Sequence, residues 1–162
     1  MPGSASELEV LYRRHGDDLR RYLRGRVRDD GDADDALQET FVQAALYPDR
    51  WVTAPSPRAW LFGVARHVAS GLRRSWRTWK KLPDEPPAAA PVEDERLAAA
   101  RRALAALPDE QREPLELRLL GELSYAEIAA ALDLPIGTVR SRLHYAMERL
   151  RAATHAALED ER

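Results

Sequence analysis

Apolar residues recur along the first part of this chain at the three- and four-residue intervals that line one face of an α-helix. Leu8, Leu11, Tyr12, His15, Leu19, Tyr22, Leu23 and Val27 mark the face of a first long helix. A second follows, with Ala33, Leu37, Thr40, Phe41, Ala44 and Ala45 on its inner side and Asp34, Asp35, Gln38, Glu39 and Val42 pointing largely elsewhere. Ser56 and Pro57 predict the N-cap and first turn of a third helix, since proline lacks only an amide hydrogen that would be unpaired there. On that helix Leu61, Val64, Ala65, Val68 and Leu72 fall on one side, and Arg66, Ser70, Arg73, Arg74 and Arg77 fall opposite.

The pattern stops at LPDEPPAAAPVEDE, Leu82 to Glu95, whose prolines and acids deny it an apolar face and regular backbone hydrogen bonding. It predicts a flexible linker, 82–95, between two helical domains, 1–81 and 96–162. The second domain opens with Leu97, Ala100, Leu104 and Leu107, a short amphipathic helix ending near Pro108. A further helix is expected from about Asp109 to Leu120, with Gly121 as C-cap and with Pro114 kinking its first turns or delaying its start. Ser124 and Glu127 form an S-x-x-E capping box that starts the next helix firmly. Asp133, Leu134 and Pro135 break it, and a last helix follows with Ile136, Val139, Leu143, Ala146 and Leu150 on one side. The fold class is therefore all-α.

Charge changes the picture because it is segregated. Asp29 to Asp49 carries seven acidic residues and no Lys or Arg, whereas Pro57 to Lys81 carries seven basic residues and no Asp or Glu, in a chain of formal net charge −2. The absence of any acidic partner along the third helix argues that its arginine stripe faces a polyanion rather than water alone. The chain has no cysteine, which excludes a disulfide framework, a thiolate zinc site and a cysteine nucleophile. His15, His67, His144 and His155 are scattered without the spacing of a metal or catalytic motif, so no cofactor, metal or enzymatic activity is expected. No apolar run is long enough to cross a bilayer and the N-terminus lacks a signal-peptide pattern, so a cytoplasmic protein that does not engage membranes is expected.

Two short helices joined by a tight turn, with Ala129 at their crossing, Asp133 in the turn and Val139 facing inward, fit a helix-turn-helix, although a plain helical hairpin has the same pattern. The last helix turns Arg140, Ser141 and His144 outward, with Thr138 and Tyr145 towards the edges and Arg142 and Arg149 on the flank. Arginine, serine and histidine on such a face can donate to base edges and phosphates in a major groove.

In combination these segments resemble the extracytoplasmic-function (ECF) group of RNA polymerase sigma factors of the sigma-70 family. The resemblance covers about Leu8 to Arg151: DADDALQETFVQA is similar to the family's polymerase-clamp-binding helix, and PRAWLFGVARHVASGLRR to its downstream promoter helix. ALPDEQREPLELRLLGELSYAEIAAALDLPIGTVRSRLH is similar to its upstream promoter domain. It implies a region 2-like helical bundle and a region 4-like helix-turn-helix domain. It also implies contact with the clamp of the largest polymerase subunit through Asp35, Gln38, Glu39 and Phe41, and with the flap of the second subunit. Recognition of the minus-ten element would fall to Arg66, His67, Ser70, Arg73, Arg74 and Arg77. Recognition of the minus-thirty-five element would fall to Thr138, Arg140, Ser141, Arg142, His144 and Tyr145. Family members are commonly held inactive by an anti-sigma protein, which adds one to the candidate partners, core polymerase and promoter DNA.

Two sets of residues admit more than one role. Phe41 fits a core position as well as an interface anchor, and Trp60, Trp76 and Trp79 fit burial as well as stacking on an unpaired base. The chain departs from the family pattern at His67, where asparagine is common, at Asp133, which replaces a turn glycine, and at Tyr145, often arginine. A stand-alone helix-turn-helix regulator would account for the second domain and leave the first without a role.

Overall fold

The computed structural model describes the backbone of residues 3–79 and 95–160, with side chains throughout except at 76–79, 157, 158 and 160. Eight helices make up the described residues: α1 (Ala5–Arg24), α2 (Asp30–Leu46), α3 (Pro48–Val52), α4 (Pro57–Trp79), α5 (Glu95–Ala106), α6 (Asp109–Leu119), α7 (Tyr125–Leu132) and α8 (Ile136–Asp160). The expected linker lies outside the described residues except for Glu95, which opens α5.

Side-chain caps fix the helix starts. Ser4 and Glu7 exchange bonds in a capping box on α1, the Asp29 carboxylate accepts from the Asp32 amide at 2.8 Å, and Ser56 Oγ accepts from the Ala59 amide at 3.1 Å. Ser124 and Glu127 cap α7 as the sequence indicates. Pro114 neither delays nor excludes α6, which runs through it from Asp109. The amide that proline lacks would have bonded the carbonyl of exposed Glu110, which water can reach. Gly121 does not cap α6; Leu120 does. A Cβ at Gly121 would lie 2.8 Å from both the Leu117 carbonyl and the Phe62 ring, so glycine is required there for space, and Glu122 takes the positive φ.

Helices α1 to α4 form a first lobe around Leu19, Tyr22, Leu23, Ala33, Leu37, Leu61 and Phe62, with Tyr22 edge-on to Phe62 at 5.4 Å. Helices α5 to α8 form a second around Leu107, Leu115, Leu117, Ile128, Val139, Leu143 and Ala146. Tyr12, expected on the inner face of α1, is 51% exposed, and Ala45 and Ile136 also face outward. The buried residues of both lobes join in one continuous cluster, and α4 packs along α7.

Candidate nucleic-acid interface and docking face

The turn between α7 and α8 is shaped by Asp133, which adopts the left-handed conformation (φ 52°, ψ 52°) that ends α7, while the Leu134 amide closes back on the Ala129 carbonyl at 2.9 Å. Val139, Leu143 and Ala146 then anchor α8 to the lobe, which fixes what the opposite side displays. Arg140, Ser141, His144 and Tyr145 are exposed, Thr138 and Arg142 are half-buried on the flanks, and Arg149 is exposed. The His144 and Tyr145 rings meet edge-on at 5.6 Å and His144 Nε2 lies 3.3 Å from Glu148, so the two rings form one supported unit.

The α4 stripe is arranged differently. Arg66 Nη1 donates to Glu113 Oε2 at 2.8 Å, and its Nη2 lies 3.2 Å from His67 Nε2. Arg73 Nε donates to the Arg26 carbonyl at 2.9 Å, and Ser70 Oγ donates to the Arg66 carbonyl at 2.9 Å. Arg74 and His67 are exposed. Partial burial, together with the charges of Arg66 and Arg74, holds the His67 imidazole below its ordinary pKa and so neutral at neutral pH. The side chains of Arg77, Trp76 and Trp79 lie outside the described residues; Trp60 is half-buried beside a small pocket with Tyr47 and Arg50.

The acidic partners missing from α4 come mostly from the other lobe, with Asp18 of α1 also 3.6 Å from Arg58. Besides Glu113 for Arg66, Glu127 lies 2.8 Å from Arg58, whose other terminal nitrogen donates to the Gly121 carbonyl at 3.0 Å. Arg26 and Glu116, only 3% and 2% exposed, face each other with Nε 3.2 Å from Oε2, and Arg26 also donates to the Tyr22 hydroxyl at 2.7 Å. Arg73 stands 3.7 Å from the same carboxylate. Desolvation pushes the Glu116 carboxyl upward, opposed by the surrounding arginines. Sequence reading did not identify Arg26 or Glu116; the one signal was a carboxylate embedded in the apolar run PLELRLL.

On α2, Asp35, Gln38 and Glu39 are exposed, whereas Phe41 is almost buried. Its ring meets Tyr12 edge-on at 4.9 Å, and the pair contributes to an open groove of about 520 Å³ lined also by Asp34, Leu37, Gln38, Val42 and Ala45. Phe41 thus serves the core and the groove together. Tyr12 and Val42 in its lining are themselves exposed, a feature the sequence indicated only at Val42. Among the described residues no group of acidic or histidine side chains could hold a metal ion, and no helix is long and apolar enough to cross a membrane.

A capped helix-turn-helix beside a bundle with an arginine-striped helix defines a two-part DNA-recognition protein. Residues 11–79 match the Sigma-70 region 2 family and residues 97–150 match Sigma-70, region 4. ECF RNA polymerase sigma factor SigL of Mycobacterium tuberculosis is 36% identical over 91% of this chain and 88% of its own length. SigC of the same species is 35% identical over 93% of this chain and 84% of its own. Among solved structures, CnrH in complex with the cytosolic domain of CnrY superposes with a TM-score of 0.70 at 28% identity, covering 95% of this chain and 91% of that one. RpoE of Bartonella quintana, in complex with the anti-sigma factor NepR, has a TM-score of 0.63 at 27% identity over 91% and 94%. The chain belongs to the ECF RNA polymerase sigma factors, a family of transcription initiation factors.

Proposed function

We propose that the chain acts in the cytoplasm as a dissociable promoter-recognition subunit of RNA polymerase, with no catalysis of its own. Asp35, Gln38, Glu39 and Phe41 on α2 dock on the clamp of the largest subunit, and the second lobe meets the flap of the second. Arg66, His67, Ser70, Arg73, Arg74 and Arg77 serve the minus-ten element. Thr138, Arg140, Ser141, Arg142, His144 and Tyr145 serve the minus-thirty-five element. An anti-sigma protein is proposed as a further partner because CnrH and the Bartonella RpoE were each solved with a bound protein chain, NepR being an anti-sigma factor.

The observation that carries this reading is the α2 groove, an apolar surface with a rim of exposed acids on the side of the first lobe. Such a rimmed apolar patch fits a protein partner, and a regulator that only bound DNA would gain nothing from it. The test is reconstitution with core polymerase. Asp35→Lys together with Glu39→Lys should lower affinity for core by at least about 100-fold while helical content is unchanged, since both positions are exposed and like charges across an interface cost several kcal/mol. Wild-type affinity in the double variant, or failure of the unaltered chain to initiate transcription with core, would overturn the reading.

A further inference from the structure

Glu148 is an acid on the one face of α8 that has reason to carry none. It is the one acidic residue between Ile136 and Leu158, among Arg140, Arg142, Arg149 and Arg151. It follows Ser141 by seven residues and His144 by four, spacings that keep all three on the same exposed face. A carboxylate there repels phosphates and weakens any hold on DNA. It adds little to the helix itself, because in an exposed i,i+4 pair the supporting order is acid before cation, and here His144 comes first. What it meets is the His144 ring, with Oε1 3.3 Å from Nε2. The same ring packs edge-on against Tyr145 at 5.6 Å, so its orientation is held from two sides.

That contact decides which ring nitrogen carries the hydrogen. An ionised carboxylate only accepts, so the nitrogen facing it bears the N–H, and a neutral imidazole then keeps its lone pair on Nδ1. One turn earlier, Ser141 Oγ donates its single hydrogen to the Thr138 carbonyl at 3.1 Å, which leaves that hydroxyl only lone pairs to offer. We propose that Glu148 is a positioning residue for promoter reading: by fixing the His144 proton on Nε2 it makes Nδ1 an acceptor beside Ser141 Oγ, and so selects base edges that carry an exocyclic amino group, adenine N6 or cytosine N4. The inference rests on the assignment of α8 to the minus-thirty-five element. Guanine and thymine present O6 and O4 in the major groove instead, and would set acceptor against acceptor. Three residues of helix advance about 4.5 Å and successive base pairs about 3.4 Å, so the two acceptors suit neighbouring pairs.

The test is transcription by core polymerase reconstituted with each full-length variant, on a promoter library randomised in the minus-thirty-five element, at about pH 8 where an ordinary imidazole is neutral. His144→Ala identifies the base pair that the ring reads. There the unaltered chain should discriminate amino from keto bases by about fivefold or more. Glu148→Gln, whose amide oxygen also accepts from Nε2–H, should keep that discrimination, and Glu148→Ala should reduce it to about twofold or less. Glu148→Lys, whose ammonium only donates, moves the proton to Nδ1 and should invert it. Preferences at other positions and the helical circular dichroism should stay as they are, since residue 148 is exposed. Single-atom deletions on one strand at a time then assign the edge: purine for adenine or pyrimidin-2-one for cytosine removes the amino group, and 2-aminopurine for guanine removes O6. Loss of the amino group should cost the unaltered chain about fivefold and His144→Ala nothing. A uniform loss over the library in Glu148→Ala, an uninverted preference in Glu148→Lys, dependence on O6 rather than the amino group, or no position altered by His144→Ala overturns the proposal and leaves the sigma-factor reading standing. Failure of the unaltered chain to initiate with core removes that reading instead, and duplexes selected from the same library by the chain alone then decide the polarity by the same criteria.

Discussion

Helices α4 and α8 are both basic and both assigned to promoter DNA, yet they meet their surroundings in opposite ways. On α8 the polar face, Arg140, Ser141, His144 and Tyr145, is open, with Tyr145 57% exposed. On α4 Arg66 and Arg73 are satisfied by carboxylates from α6 and by a backbone carbonyl. The difference teaches that a stripe of one sign, without a partner on its own helix, is no measure of a free surface. Partners 47 residues away complete it just as well.

The largest effect expected from breaking this contrast is at Arg26. Arg26→Met leaves the Glu116 carboxylate buried with its closest cation gone, a change that typically costs about 3–5 kcal/mol. The lobes can escape that cost by parting, so a donor and an acceptor dye on Ser6→Cys and Ala152→Cys, both exposed in a chain without other cysteines, should report a longer distance with helicity largely kept. Next comes the reading face of α8. His144→Ala and Tyr145→Ala should each change which minus-thirty-five sequences are preferred, by about 1–3 kcal/mol per lost base contact, in transcription from a library randomised there. Alanine at Arg142 should instead weaken all promoters alike and reduce the salt slope by about one charge.

A smaller contrast separates the two helices in the free protein. Arg66→Ala should lower thermal stability by about 1 kcal/mol, because Glu113 is left half-buried without its donor, whereas Arg140→Ala should stay within about 0.5 kcal/mol. Equal losses would remove the distinction. The smallest effect is in pH. Burial raises the Glu127 carboxyl, but the Ser124 amide and Arg58 outweigh it and hold the pKa below the ordinary glutamate value. With the folded value depressed, this stabilisation is present above the ordinary glutamate pKa and fades as pH falls through the folded one. Melting temperature should therefore drop more steeply below about pH 4 in the wild type than in Glu127→Gln.

Much of the fold was legible because its signals are local. The Ser124/Glu127 box, the Ser56-Pro57 start and the spacing of Val139, Leu143 and Ala146 each act within a few residues, and each appears in the structure as read. The outward set on α8 followed directly from its anchored side. What was not legible depends on distant chain. Tyr12 lies on the apolar face of α1 by spacing, yet nothing covers enough of that end of the lobe to bury it. Gly121 reads as a helix stop, and its real constraint is the Phe62 ring in another helix. Arg26 and Glu116 look like ordinary surface charges until α6 is laid over the end of α1.

Gly63, where α4 packs along α7, bears on how such a protein can change. Any missense mutation at a glycine codon adds at least a Cβ, so at this position every single-base substitution that still encodes a residue of a different kind drives an atom towards the Ala131 carbonyl. Substitutions of several chemical types at this one codon are then expected to loosen the packing of α4 on α7, rather than one privileged exchange. A packing set at a point where two backbones nearly touch is easier to lose than to tighten.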